Sequence, residues 1–422
     1  MMHKLLILTG KYPFSNGETF LANELKYVPD DFEKIYIYPI LIYEKKSQLQ
    51  WKYEKPQNNN IEIVLGNSFK SFRGIVSSFC KTIISSDFWL EVKRLIQKKS
   101  FSASTIYTLL LYAMRSHFAA TIAINKIAKG LSNGEDLSIY SYWMDYDAYT
   151  AVLIKRKAKG RIRKVITRCH RGDLYESAAR GGFLPMRKAI FDSMDTIYSI
   201  SSNGINYLKK IYPDIIRDNL KISRLGTFDY GCSVLEKEPI LRLVSCSWVR
   251  PVKRVHLIPK ALENIDVDVE WTHMGDGSAM QLLQEAVGKL NNPHVKCFLL
   301  GECRNEQVMQ LYASEKYHVF INVSENEGVP VSIMEAMSFG MIIIATNVGG
   351  VDELVVDGEN GYLLDKDFKT TELAGYIKRI SLMSSETLRK MSLKSREIWE
   401  KKYSAETNYR AFYKALIDEA QA

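Results

Sequence analysis

The 422-residue chain reads as an α/β protein of two domains, each a parallel sheet with helices on both faces. Three observations carry that expectation. The length is too great for one ordinary core and suits two domains of about 200 residues. Short β-rich apolar runs alternate with longer helix-like stretches from end to end. Many of those runs finish in Gly, Ser or Asn, as strands do where they stop at a ligand crevice.

In the first half the strand-like runs are LLILTG (5–10), IYIYPI (35–40), IEIVLG (61–66), SIYSYW (138–143), KVITRCH (164–170) and TIYSIS (196–201). In the second half they are LRLVSCS (241–247), DVEWTHMG (268–275), VKCFLLG (295–301), HVFINVS (318–324) and MIIIAT (341–346). GTFDYGCSVLEKEPI (226–240) breaks the alternation. It sets the expected boundary, with a first domain over 1–228 and a second over 229–403. A final helix over 404–422 is expected to pack back on the first. There is no internal repeat and no low-complexity tract.

Hydrophobic residues make up 46% and charged residues 25%, a globular composition. No apolar run approaches the ~20 residues of a membrane-spanning helix. The opening MMHKLLILTGKYP is short and lacks a small-residue cleavage site, so it reads as a first strand. Six cysteines without a CxxC pair point to buried thiols in a reducing cytosol and to no metal. The net charge of +9 is uneven. Residues 1–235 carry 35 Lys and Arg against 21 Asp and Glu, and residues 236–422 carry 22 against 27. KRKAKGRIRK (155–164) has seven basic residues and no acid. The aromatic, basic stretch over 68–131 reads as packed core helices or as an interfacial membrane helix. Together these features suggest an anionic partner, a membrane surface before a nucleic acid, since no nucleic-acid module is present.

The most informative segment is INVSENEGVPVSIMEAMSFGMIIIATNVGGVDELVVDGENGYLL (321–364). It reads as strand, loop, helix, strand and Gly-Gly turn. Glu327 lies in the loop. Glu335 falls one to two turns into a helix that starts near Pro330. Its neighbours Val331, Ile333, Met334, Ala336 and Met337 are apolar, so the carboxylate needs partners, and a ribose diol suits it. The amides of Gly328 and Val329, with the positive end of the helix, suit a diphosphate.

These residues resemble the signature of the family-four retaining glycosyltransferases, which have the GT-B fold: two Rossmann-like domains facing across a cleft. Glu327-x7-Glu335, EAMSFG, Gly349-Gly350, Glu353 and DGENG fall in the family's order. The resemblance implies that the first domain binds acceptor and the second a nucleotide-sugar donor, UDP-, GDP- or dTDP-linked. It gives Glu327 the donor sugar's hydroxyls and Glu335 the ribose. LVSCSWVRPVKRVHLIPKAL (243–262) resembles the element holding the family's Arg and Lys on the diphosphate. Lys253 matches the Lys. Ser247-Trp248 replaces the usual Gly-Arg, and Arg250 is expected to supply the guanidinium. HMGDGS (273–278) and FLLGEC (298–303) resemble the turns around the donor base, which brings in Gly275 and Glu302. Ser324 and Asn326 are expected to flank the same pocket.

In the first half, GKYPFSNGETFLANEL (10–25) resembles the opening of polysaccharide-assembling members, with Gly17 at the substrates. TRCHRGDLYE (167–176) resembles the strand end carrying a His beside the donor sugar, a role that falls to His170. Arg171 and Asp173 are expected on the acceptor side. Asp145-Tyr146-Asp147 spells a metal-diphosphate motif, but no single-domain nucleotide fold surrounds it, so Asp147 is expected to meet acceptor. No metal or other cofactor is expected. The implied activity is sugar transfer with retention, to a saccharide acceptor that is lipid-linked, as in capsule, exopolysaccharide or lipopolysaccharide assembly. The expected location is the cytoplasm, peripherally on the inner face of the cell membrane. An epimerase or phosphorylase on the same fold, or a non-catalytic sugar-nucleotide-binding partner, are the alternatives.

Overall fold

The computed structural model describes residues 3–42, 48–56, 60–66, 71–131, 136–158, 160–179, 182–215, 217–232 and 235–418. Residues 68–70 of the aromatic-basic stretch, Lys159 of the basic run and 419–422 of the final helix lie outside them. The chain forms two compact units, Met1–Ser223 with Tyr409–Ala422, and Arg224–Asn408.

In the first unit the chain runs β1 (His3–Thr9), α1 (Thr19–Leu25), β2 (Phe32–Pro39), β3 (Ile61–Ile63), then three successive helices. These are α2 (Phe72–Ile83), α3 (Ser86–Gln97) and α4 (Ala103–Lys126). There follow β4 (Leu137–Ser141), α5 (Tyr146–Lys157), β5 (Ile162–Cys169), the single turn α6 (Arg171–Leu174) and α7 (Arg187–Ser193). β6 (Thr196–Ser199), α8 (Ser202–Ile211) and β7 (Leu220–Ile222) complete it. The strands make one parallel sheet in the order β3-β2-β1-β4-β5-β6-β7. Leu5 to Leu8 are wholly buried, as expected of a central strand covered on both faces.

The second unit runs β8 (Leu241–Cys246), α9 (Leu257–Leu262), β9 (Val269–Met274), α10 (Met280–Gly288), β10 (Val295–Leu299), α11 (Asn305–Glu315) and β11 (Val319–Asn322). It continues with α12 (Val331–Ser338), β12 (Ile342–Thr346), β13 (Gly361–Leu364), α13 (Thr370–Ser381) and α14 (Ser385–Lys402). Its sheet is parallel in the order β10-β9-β8-β11-β12-β13. The strand order reverses beside β1/β4 and beside β8/β11, and in open α/β sheets ligands sit at the carboxyl ends of such pairs.

The last helix, α15 (Ala405–Asp418), starts in the second unit and its residues from Tyr409 belong to the first. There Phe412 and Tyr413 join the core with Tyr140 and Tyr198. A fully buried ion pair, Arg168 with Glu24, lies against them, the guanidinium 4.1 Å from the Phe412 ring. Among the described residues no helix is long and apolar enough to cross a membrane. All six cysteines are free; only Cys169 is fully buried, while Cys80 and Cys232 are exposed, which corrects the expectation of buried thiols.

Candidate functional site

The carboxyl end of the second sheet gathers most of the predicted donor residues. β8 ends at Cys246, and its loop carries Ser247, Trp248 and Lys253. β9 ends in Gly275, and Glu302 and Cys303 follow β10. With Ser332 these residues line a cavity of about 300 Å³. Gly275 is required there: its φ is +142°, and a Cβ would sit 1.9 Å from the Ser247 carbonyl oxygen.

Glu327, almost fully buried, closes this site from the β11 loop. Its Oε1 takes the Lys253 ammonium at 2.5 Å and the Asn322 amide at 3.2 Å. Asn322 in turn accepts from the Ser324 amide at 3.0 Å. The Gly-Gly turn fixes the loop from behind. Gly350 N donates to the Gly328 carbonyl at 2.7 Å. A Cβ on Gly349, whose φ is +64°, would meet the Glu327 carbonyl oxygen at 2.1 Å. The amides of Gly328 and Val329 take no acceptor among the described residues. They precede α12, with Pro330 in the capping position. Unpaired amides at a helix start suit an anion.

Glu335 sits one turn into α12, half-buried, its Oε1 accepting from the Asn305 amide at 2.8 Å. Burial pushes its carboxyl up to about 7, against the Asn305 hydrogen bond, which favours the ionised form.

Other predicted residues are placed differently. Arg250 is exposed, 5.9 Å over the Trp248 ring, and does not line the cavity. Ser324 is buried framework: its carbonyl accepts from Arg254 and Thr346. Asn326 is exposed. Glu353 pairs with Arg224 at 3.0 Å, inside the fold of this unit.

The first unit carries its own polar cluster at the ends of β1, β4 and β5. Glu18, nearly buried, accepts from the amides of Gly10, Lys11 and Tyr12 at 2.9, 2.7 and 2.6 Å, and from the Trp143 indole at 2.8 Å. Gly17 is exposed in the turn before it. His170 is buried with its ring 4.8 Å from Tyr142 and 4.7 Å from Trp143, and neither ring nitrogen has a partner among the described residues. Burial, with Arg168 adding, drives its imidazole down to about 3, so it is neutral. Asp173 is buried and acts as an internal clamp: it takes the amides of His170 at 2.5 Å and Met144 at 2.6 Å. Burial raises its carboxyl to about 7, against Arg187 and those two amides. Asp147 is also buried, with one oxygen unpartnered, and its carboxyl is pushed well above the usual range by burial and by Glu18, Asp145 and Asp173. That burial argues against a direct acceptor contact. Arg171 is exposed at the first position of α6.

Asn322, Asn305, Arg254 and Glu18 were not read from the sequence. Arg254 donates to the carbonyls of Val323 at 2.9 Å and Lys366 at 2.8 Å, so of the neighbouring cations Lys253 serves the cavity and Arg254 the scaffold. Its signal was only its adjacency to Lys253. Asn322, a polar residue ending an otherwise apolar strand, was the more legible of them.

Residues 235–398 match the family model described as glycosyl transferases group 1. The chain is 26% identical over 269 residues to N-acetyl-alpha-D-glucosaminyl L-malate synthase of Bacillus anthracis, spanning 59% of this chain and 66% of that protein. It spans between 46% and 66% of the length of three curated relatives. Among solved structures it matches the apo form of the lipopolysaccharide outer core galactosyltransferase WaaB with a TM-score of 0.68 at 13% identity, over 99% of this chain and 100% of that one. It matches Anabaena Alr3699/HepE, solved in complex with UDP-glucose, with a TM-score of 0.63 at 15% identity, over 99% of each chain. At such identities the likeness is one of fold, and the fold is GT-B. Over residues 235–398 this chain is therefore similar to the glycosyl transferases group 1 family.

Proposed function

We propose that the protein moves a sugar from a nucleotide-sugar donor to an acceptor hydroxyl with retention of configuration. The observation that carries this reading is the grouping of the Lys253–Glu327 pair, two unpartnered amides and the poised carboxyl of Glu335 at one sheet end beside a cavity. The second unit holds the donor. Lys253 and the amides of Gly328 and Val329 take the diphosphate, Glu327 the sugar hydroxyls and Glu335 the ribose. The bond from the anomeric carbon to the phosphate oxygen breaks, and a bond to the acceptor oxygen forms on the same face. The acceptor proton passes to the departing phosphate. Lys253 stabilises the charge that develops there, so no protein base and no metal is required.

The first unit binds acceptor, with neutral His170 offering one N–H and one lone pair. The HepE structure with UDP-glucose supports a UDP-linked donor, with GDP- and dTDP-linked donors in the same class. The name of the WaaB structure, a lipopolysaccharide outer core galactosyltransferase, supports a lipid-linked saccharide as acceptor. We place that encounter at the inner face of the cell membrane, as in surface-polysaccharide assembly.

A panel of UDP-, GDP- and dTDP-sugars, read by thermal stabilisation and then by product formation, tests the reading. The expected result is stabilisation by one class, transfer that survives a chelator, and a product whose proton NMR shows the donor's anomeric configuration. Donor epimerisation without acceptor, phosphate-dependent cleavage, or an inverted product overturns it.

A further inference from the structure

α2 is amphipathic in the reverse sense. Phe72, Ile75, Val76 and Phe79 recur at the spacing of one helical face, and all four are exposed, Phe72 by 81%. The face turned to the protein is small and polar: Ser78 and Thr82 are buried, and Lys81 donates to Thr121 of α4 at 2.8 Å. At Gly74 the approach to α4 is so close that a Cβ would lie 2.7 Å from the Phe118 ring. The apolar surface continues through Ile84, exposed by 81%, to Trp89, whose indole N–H donates to the Ile83 carbonyl at 2.6 Å, and to Leu90. Soluble proteins rarely leave such a contiguous surface in water.

The charges around it select the occupant. Over 71–101 the only acids are Asp87 and Glu91. Asp87 is held by Tyr149 and Arg156, and Glu91 is buried against Arg94. Arg73, Lys93, Lys98 and Lys99 are exposed. Asp192 and Asp214 stand across the groove that Leu90 shares with Lys93 and Lys98. An apolar stripe with aromatic residues, on a segment whose exposed charges are cations, fits the boundary between headgroups and acyl chains of an anionic bilayer. A protein interface core, by contrast, carries no such one-sided charge requirement.

We propose that α2 and the α2–α3 turn form a membrane anchor that inserts Phe72, Val76, Phe79 and Ile84 below anionic headgroups. Its purpose rests on the lipid-linked acceptor proposed above, although the surface itself does not.

The test is cosedimentation of the full chain with phosphatidylcholine vesicles, with and without phosphatidylglycerol, alongside the Phe72→Ser/Phe79→Ser double variant. Thermal stabilisation by a nucleotide-sugar is read on the same preparations. The expected result is binding to phosphatidylglycerol vesicles that weakens with salt and falls at least roughly tenfold in the double variant, with the donor response unchanged. No binding at low salt, or binding indifferent to the double variant, overturns the anchor. So does a solution dimer that the double variant dissolves and that takes up no vesicles. Loss of the donor response in the unaltered protein would instead sink the proposed function and leave the anchor standing.

Discussion

Lys253 and Glu327 meet at 2.5 Å although they stand on different loops, one after β8 and the other after β11. The same loops are tied by Glu325 N donating to the Val252 carbonyl at 2.8 Å. On the proposed reading, the ammonium that meets a diphosphate is thus already oriented by the carboxylate that meets the sugar.

Removing one partner should therefore have two readouts. Lys253→Met leaves a nearly buried carboxylate with Asn322 as its remaining hydrogen-bond partner among the described residues, at a cost of about 1–3 kcal/mol in thermal or denaturant unfolding. Turnover should fall on the order of 100-fold through lost stabilisation of the leaving group. Glu327→Gln should keep most of the stability and lose turnover more than affinity for the nucleoside diphosphate. Equal losses of both in Glu327→Gln would contradict a role at the sugar.

Glu335 should make donor binding pH-dependent. A carboxyl poised at about 7 is mostly protonated at pH 6 and mostly ionised at pH 8. Ribose hydroxyls donate to the ionised form, so donor Kd should fall as pH rises through 7, by about tenfold per unit well below it. Calorimetric titration of Glu335→Gln should give weaker binding and a flat profile over the same range. A wild-type Kd that rises with pH would refute the assignment.

Asp147 sets a stability effect of defined sign. Its carboxyl is raised well above its unfolded range, so the folded chain keeps a proton that the unfolded chain releases. That contribution is full below the unfolded value of about 3.9 and is lost as pH rises toward the folded one. Asp145, raised to about 6, and Asp173, raised to about 7, act in the same direction. The Tm difference between Asp147→Asn and wild type should move in the variant's favour from pH 5 to pH 8. Scanning calorimetry at both values checks it, and a shift the other way would mean that Asp147 is ionised in the fold.

Gly275→Ala should abolish donor binding or fold poorly, because the added methyl meets the Ser247 carbonyl at 1.9 Å on a backbone with φ +142°. Gly288→Ala, where a Cβ meets nothing within 4 Å, is the control and should leave Tm and donor response near wild type.

The strands were legible because the central strands of both sheets are covered on two faces and are nearly unbroken apolar runs, while the edge strands β3 and β10 keep an apolar alternation. Each run read as a strand is one, to within a few residues. β7 was missed because Leu220–Ile222 is short and half in solvent, and β13 because GYLL follows a DGENG turn that masks it. In the site, local pattern was enough to gather Glu327, Glu335, Lys253 and Gly275 at one sheet end, since each belongs to a contiguous loop or helix start. It did not reveal that the Arg250 side chain follows the neighbouring indole, nor that Asp147 and Asp173 are buried. Their burial depends on β1, β4 and β5 coming together, which no window along the chain reveals. The reversed polarity of α2 was equally hidden, because a helical period states that one face is apolar without stating which way it turns.

Glu18 makes the two Rossmann-like units unequal. In the first unit the three amides that follow β1 are already occupied by a carboxylate of the same chain. An incoming phosphate would have to expel that carboxylate and accept its repulsion nearby. The second unit leaves the amides of Gly328 and Val329 open. On the proposed reading, one acidic side chain thus acts as a resident counter-ligand, which would keep a phosphate off these amides and leave the open ones of the second unit to take it.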